Sequence, residues 1–372
     1  MSELETKGRA AGIYFTADAL MRTTFPEPRW AVHGLIAEGL NVFAGPQKVG
    51  KSCLAVGVAV AVAEGGKALG RVDVEPGDVL LAALEDSPRR LKRRLGHILD
   101  GRPAPSRLTV VTALPVMPRA TELVSEWLEE HPEARLVVVD VLAKIRPQGV
   151  IGADRYEADY RVISELKRLA DHHRVAVVAV THTRKMGADD LFDTISGSVG
   201  LTGAADTSIV LRRARNETAG VLAVTGRDVP ECEYAVQFDG DRSTWTLDGQ
   251  ELAEAARHAA EARATAGLGD RSAEILAHVN AHPEGVRAAD VENALDLGDA
   301  RRYLARLADS GRIDKAGRGL YMPSVPTVPS VPLPYADGTH GTDGTRTCGA
   351  CGEPLDDLWA EHGTHPTCAV TP

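Results

Sequence analysis

The 372-residue chain has no surplus of basic charge: 42 Lys and Arg stand against 52 Asp and Glu, a formal net charge of -10. That balance excludes a protein that coats nucleic acid through bulk basicity, although it leaves room for local basic patches. The opening residues, "MSELETKGRA", lack the apolar core of a secretory leader, and no apolar run approaches the roughly 18 residues of a membrane-spanning helix. A cytoplasmic protein with no membrane partner is expected. Cysteine is scarce, 5 in all. Cys53 and Cys232 stand alone in apolar or strand-like surroundings, whereas Cys348, Cys351 and Cys368 crowd together late in the chain, which points to metal rather than to disulfides. Apolar residues are plentiful, at 44% against 25% charged, enough for a large core and one or two small satellites.

From about residue 30 to 250, short apolar runs alternate with helical patterns. The runs "LNVFAG", "GDVLLAALED", "SRLTVVTAL", "ARLVVVDVL" and "RVAVVAVTH" show little polar alternation, as expected of parallel strands covered on both faces, and "DTSIVLRR" follows them. Between them, "KSCLAVGVAVAVAEGG", "SPRRLKRRLGHIL", "ATELVSEWLEEH" and "RYEADYRVISELKRLADHH" read as helices. The expected fold class is therefore α/β with a mainly parallel sheet. Three antiparallel strands, "GVLAVTGRD", "YAVQFD" and "STWTLDG", are expected to close it, and an alanine-rich helix near 250–264 to leave the core. The implied division is an N-terminal arm (1–29), the core (30–250), a connecting helix (251–270), a small helical unit (271–323), a Pro/Gly/Thr-rich linker (324–347) and a metal knuckle (348–372).

The stretch "GPQKVGKS", with Cys53 behind it, fits the phosphate-loop pattern G-x-x-x-x-G-K-[S/T]: Gly45, Pro46, Gln47, Lys48, Val49, Gly50, Lys51, Ser52. It follows an apolar strand and opens a helix, the context that makes the pattern a nucleotide site, with ATP the expected ligand once the ATPase resemblance below is counted. Glycine lets backbone N–H groups curl around phosphates, and the helix N-terminus attracts anions. Lys51 is expected on the β and γ phosphates and Ser52 on Mg²⁺. Asp140 ends the strand "RLVVVD", where a carboxylate can hold the Mg²⁺ shell. Glu85 and Asp86 end the strand after the phosphate-loop helix; Glu85 is chosen to polarise the attacking water, with Asp86 as the rival or as a helix cap. His182, beside Thr183, ends a third strand and can sense the γ-phosphate. All these strand ends face the crevice at which open α/β sheets bind ligands.

The order "GPQKVGKS", "LEDS" with a basic helix, "VVVD", "THTRK" and "SGSVGLTGAADT" resembles the RecA-like ATPases of the plasmid RepA-type hexameric replicative helicase family, over about residues 30–250. The resemblance implies a RecA-like P-loop NTPase that works as a homo-oligomer, a hexameric ring around single-stranded DNA. It implies Asp140 as the Walker B carboxylate, Glu85 as catalytic base and His182 as sensor. The segments after Ile145 and after His182, including Lys185, correspond to channel loops. Arg227 in "TGRD" stands near the place of an arginine finger, with Arg212, Arg213 and Arg215 as rivals. Thr225 stands where relatives often carry a lysine.

The appendages are read from their own residues. In 271–323, three helical patterns and the turn-containing "RIDKAGRGLYMP" suggest a winged helix. Tyr303, Leu304 and Leu307 mark its buried face, with Arg301, Arg302, Arg306, Lys315 and Arg318 available to DNA phosphates; a protein-contact module is the alternative. "SVPTVPSVPLP" reads as an extended linker. Cys348, Cys351, His365 and Cys368 form two tight pairs suited to a closed, structural Zn²⁺ site, with His362 as a competing ligand. The run "RRLKRR" is most simply a solvated helix face.

Overall fold

The computed structural model describes residues 15–147, 155–183, 191–195 and 203–324. Residues 15–27 carry one short helix, α1 (Ala17–Arg22), started by Thr16, whose hydroxyl accepts a hydrogen bond from the Ala19 N–H at 3.1 Å. The other described residues belong to one compact unit, Pro28–Val331.

In that unit a hairpin, β1 (Trp30–Val32) with β2 (Ile36–Ala37), leads into β3 (Gly39–Ala44) and, across the glycine-rich loop, α2 (Lys51–Glu64). A second hairpin, β4 (Lys67–Ala68) with β5 (Val72–Asp73), precedes β6 (Asp78–Ala83) and α3 (Pro88–Leu99). Then come β7 (Leu108–Val111), α4 (Arg119–Glu130), β8 (Ala134–Asp140), α5 (Arg155–His173) and β9 (Ala176–Val180). After them β10 (Thr207–Arg213), β11 (Ala219–Gly226), β12 (Cys232–Asp239) and β13 (Thr244–Leu247) complete the sheet before α6 (Leu252–Thr265).

The 9-stranded sheet has the order β13-β12-β11-β10-β3-β9-β8-β6-β7. From β10 to β7 every neighbouring pair is parallel, and β11, β12 and β13 extend the β10 edge antiparallel. This mostly parallel sheet with helices is the α/β class expected from the sequence. The unbroken apolar runs follow from burial on both faces: β3 is buried throughout, as is β9. Alternate residues of β3 serve different cores. Phe43 packs with α2 and α3 on one face, whereas Leu40, Val42 and Ala44 pack with α4 and α5 on the other.

Helix α2 is rich in Ala and Val, weak in propensity at its valines, and is held by being buried nearly all round. It stops at Gly65, whose φ of 70° lets its N–H reach back to the carbonyls of Ala61 and Val62. Helix α6 departs from expectation. It does not leave the core: its small face, Ala255, Ala256 and Ala259, is buried against β12. Alanines spaced along one side permit that close approach, a signal masked by the charged residues between them.

Beyond α6 lie α7 (Asp270–Asn280), β14 (Val286–Arg287), α8 (Ala288–Leu295), α9 (Ala300–Asp309), β15 (Ile313–Gly317) and β16 (Leu320–Pro323). The strands form an antiparallel sheet, β14-β16-β15, and Ile275, Val279, Val291, Leu304, Leu307 and Tyr321 build a separate small core. Leu304 and Leu307 are buried and Tyr303 half-buried, while Arg301, Arg302, Arg306, Lys315 and Arg318 are exposed. Strand β14 and the two early hairpins leave no signal in the sequence, because strands of two or three residues are too short to show a period. Among the described residues no helix is long and apolar enough to cross a membrane.

Candidate nucleotide-binding site

The loop between β3 and α2 turns on backbone conformations that few residues adopt. Gly50 has φ of 108° and Lys48 has φ of 62°, and a Cβ on Gly45 would lie 2.7 Å from the Leu211 carbonyl oxygen. Pro46, Gln47 and Lys48 are exposed, whereas Gly45 and Val49 are buried. Lys51 opens α2 yet is buried: its Nζ donates to the carbonyls of Gly45 at 2.7 Å and Pro46 at 2.9 Å, and lies 3.1 Å from Nδ1 of His182. Burial pushes the Lys51 ammonium down to about 8, against the pull of the Asp140 and Glu85 carboxylates.

His182 reaches Lys51 because the ladder continues past the end of β9. Thr181 N–H donates to Phe43 O at 2.8 Å, and Thr183 N–H to Gly45 O at 3.2 Å. Burial first, and then the Lys51 charge, hold the imidazole below its usual value. A neutral ring whose Nδ1 accepts from an ammonium carries its proton on Nε2.

Asp140, at the end of β8, is only 5% exposed. Burial raises its carboxyl above the ordinary range; a hydrogen bond from the Ser52 hydroxyl opposes that, Glu85 adds to it and Arg94 works against it. Strand β8 also grips the next strand end, since Leu84 N–H donates to Asp140 O at 2.6 Å. The two neighbouring acids then part company. Asp86 is nearly buried and paired with Arg94 and, at 3.5 Å, with Arg90. Glu85 is exposed, and among the described residues its carboxylate forms no ion pair. Ser87 caps α3, its hydroxyl accepting from Arg90 N–H at 3.4 Å, so Asp86 is free of that duty. Arg94 departs from the expectation that the run "RRLKRR" is a solvated helix face. Its only sequence signal is the two-turn spacing from Asp86. Arg89, Lys92 and Arg93 of that run are exposed, as expected.

Ser52, Asp140 and Glu85 are oxygen donors around one concentration of negative charge, the chemistry a hard divalent cation requires. No cluster of three or more His, Cys, Asp or Glu able to hold a metal occurs among the described residues, and two protein oxygens suit Mg²⁺, which keeps waters and phosphate oxygens for the rest. Cys53, just behind Ser52, has its thiol pushed up by burial, with Arg94 opposing.

The arginines fall at opposite ends of the sheet. Arg212 pairs with Glu233 at 2.8 Å, and Arg213 reaches the phosphate loop's own backbone. Arg215 is exposed on the same side. Arg227 instead sits beside Asp206, at 3.4 Å, and Asp206 N–H donates to Leu40 O, the far end of β3. From Leu40 to Gly45 the strand climbs about 16 Å at roughly 3.3 Å per residue. Arg227 therefore cannot reach its own chain's phosphate loop. Lys185, the stretch 148–154 and the zinc candidates Cys348, Cys351, His365 and Cys368, with His362, lie outside the described residues.

Residues 9–188 match a family described as an AAA domain, and residues 284–324 match one described as "Transcriptional regulator, AbiEi antitoxin". The AAA match takes in Lys51, Ser52, Glu85, Asp140 and His182 and supports an ATPase-type nucleotide domain in this part of the chain. Among solved structures the chain is similar to one described as an ATPase domain, with 14% identity and a TM-score of 0.47 over 57% of this chain and 85% of that one. It is also similar to "The Structure Of A DnaB-Like Replicative Helicase And Its Interactions With Primase", with 14% identity and a TM-score of 0.46 over 56% of this chain. It spans 57% of that protein's length. A search of curated proteins returns no match.

Proposed function

We propose that the protein is an Mg-ATP-dependent RecA-like motor, a ring-forming DNA helicase or translocase of plasmid- or phage-type replication. The observation that carries this reading is the meeting of Lys51, Ser52, Glu85, Asp140 and His182 at one edge of the parallel strands, with Lys51 in contact with His182. Lys51 exchanges the carbonyls of Gly45 and Pro46 for phosphate oxygens. Ser52 and Asp140 hold Mg²⁺, which when bound neutralises charge on the phosphates and steadies the departing phosphoryl group. Glu85, without an ion pair among the described residues, takes a proton from the attacking water, while Asp86 and Arg94 fix the strand end that presents it. His182 loses or regains its Lys51 contact as the γ-phosphate comes and goes, and so passes the state of the site to the segment that follows it, Lys185 included. Arg227 serves the neighbouring copy in a hexameric ring, and the late cysteines and His365 hold a structural zinc.

The experiment is ATP turnover with and without single-stranded DNA, run beside mass determination in ATP and Mg²⁺. Stimulation by DNA in a ring-sized assembly is expected. ATP turnover by a monomer indifferent to DNA would sink the motor. A second reading, an ATP-dependent DNA-binding switch without unwinding, is favoured by the 284–324 match and by the exposed Arg301, Arg302 and Arg306 of a winged-helix-like unit. Site-specific duplex binding without unwinding of a fork would decide for it.

A further inference from the structure

Trp245 holds the phosphate loop from behind. Strand β13 alternates so that Trp245 and Leu247 are buried and Thr246 exposed, which turns the indole inward toward α2. Its Nε1 donates to Gly50 O at 3.1 Å. Two glycines make room for it: a Cβ on Gly50 would lie 2.9 Å from Nε1, and one on Gly220 2.9 Å from Cζ3. Beside it Arg213, at the end of β10, lays its guanidinium over the Phe238 ring, 4.7 Å from the centroid. Its Nε makes a longer bond, 3.4 Å, to Val49 O, and its Nη1 donates to Glu217 O at 2.5 Å. Two consecutive loop carbonyls are thus tied to side chains from the antiparallel edge of the sheet.

In a trans peptide the C=O and the following N–H point in opposite directions. Tying Val49 O and Gly50 O to Arg213 and Trp245 therefore turns the N–H groups of Gly50 and Lys51 away from those side chains. These are donors that a phosphate loop offers to its anion. Gly50, at φ of 108°, has no Cβ to restrict it, and its carbonyl is shared between Trp245 and the Leu54 N–H, which donates to it at 3.1 Å. A loop held in place before binding spares the nucleotide that ordering cost.

We propose that Trp245 and Arg213 are positioning residues that aim the Gly50 and Lys51 N–H groups at nucleotide phosphates. The proposal rests on the nucleotide-binding reading above. The test measures steady-state ATPase KM and kcat, and the Kd for Mg-ADP by calorimetry, on the full chain with Trp245→Phe, Arg213→Lys and Gly220→Ala. Phenylalanine keeps a ring between Gly50 and Gly220 but removes the donor. Alanine at 220 keeps the donor, but its Cβ would lie 2.8 Å from Arg212 O and 2.9 Å from the indole, so it pushes both the ring from its far side and the strand end that carries Arg213. One hydrogen bond is worth a modest factor, so KM and Kd should rise about 3- to 10-fold in Trp245→Phe, with kcat within about twofold. Gly220→Ala should move both in the same direction. Unchanged KM and Kd in Trp245→Phe, or a fall in kcat or in melting temperature with KM unchanged, would overturn the proposal. If Trp245→Phe does not fold, Arg213→Lys, which keeps a cation over Phe238, decides by the same criteria. A wild type that binds neither nucleotide would instead refute the parent reading, and that is scored before any variant is compared.

Discussion

Lys51 makes the site's affinity depend on pH in a way that can be worked out. Its ammonium is buried and held down to about 8, whereas bound phosphates, being anions in contact with it, favour the charged form and raise it. The protonated form is the one that binds, so the dissociation constant grows as 1 + 10^(pH − 8). This factor is about 1.1 at pH 7, about 2 at pH 8 and about 11 at pH 9. A roughly tenfold loss of affinity for Mg-ADP is expected between pH 7 and pH 9. Of the neighbouring groups, burial and the Lys51 charge hold His182 below its usual value, and burial pushes the Cys53 thiol up, both away from the middle of the window. The terminal phosphate, with a second pKa of about 6, is already about nine-tenths ionised at pH 7. Calorimetry at pH 8.5 in buffers of different ionisation enthalpy should show uptake of about 0.75 proton per nucleotide, falling toward zero at pH 7. The folding linkage has its own sign. Between about 8 and the ordinary lysine value of 10.5 the unfolded chain binds more protons at Lys51 than the free native one, so this group's contribution to stability rises with pH there. Affinity and stability thus move in opposite directions. Affinity that stays flat from pH 7 to 9, without proton uptake at pH 8.5, would refute the assignment of a depressed Lys51 to the phosphate site.

Glu85→Gln should keep nucleotide binding and lose about 10²- to 10⁴-fold in turnover, measured by single-turnover hydrolysis, because only the proton transfer is removed. Asp86→Asn, which breaks the pairing with Arg94 and Arg90, should lower the melting temperature and keep turnover within about tenfold; the reverse pattern exchanges the roles of the two acids. Lys51→Ala subunits mixed with Arg227→Ala subunits should recover part of the ATPase that each lacks alone, since an arginine finger acts in trans. Strictly additive, near-zero activity from subunits shown to co-assemble would remove Arg227 from the mechanism. Metal analysis should find one zinc per chain in the wild type and none in Cys351→Ser.

What was legible in the sequence is what one or two neighbouring segments determine. The apolar runs of β3, β8 and β9 are buried on both faces, and continuous burial is the one pattern that period-free hydrophobicity encodes. The loop from Gly45 to Ser52 carries its chemistry in eight adjacent residues. The same logic explains what was not legible. Glu85 and Asp86 are indistinguishable as adjacent strand-end acids. They separate only when Arg94, two turns into the next helix, claims one of them. The contact between Lys51 and His182 spans 131 residues, and that between Gly50 and Trp245 spans 195. No local pattern marks such partners, because their meeting is fixed by strand order. Helix α6 failed for a different reason: its buried alanines contribute little hydrophobicity each, so the charged residues dominate its pattern although the alanine face decides where it packs.

The strand order also bears on the assembly. Because β3 and β10 are parallel, their starts and ends lie at opposite edges of one rigid sheet, and the phosphate site occupies one edge while Arg227 occupies the other. Arg227 is 61% exposed in its side chain and tied only loosely to Asp206, which keeps stronger partners in Lys167 at 3.0 Å and the Leu40 N–H at 2.8 Å. Releasing the guanidinium therefore leaves no buried charge unpaired, and the cost of swinging it outward is that of an exposed pair, about 0–1 kcal/mol. A head-to-tail contact between copies sets unlike edges against each other, and when the rotation closes it makes a ring. In such a ring the trans role proposed for Arg227 would bring to each phosphate site an arginine that its own chain cannot place there.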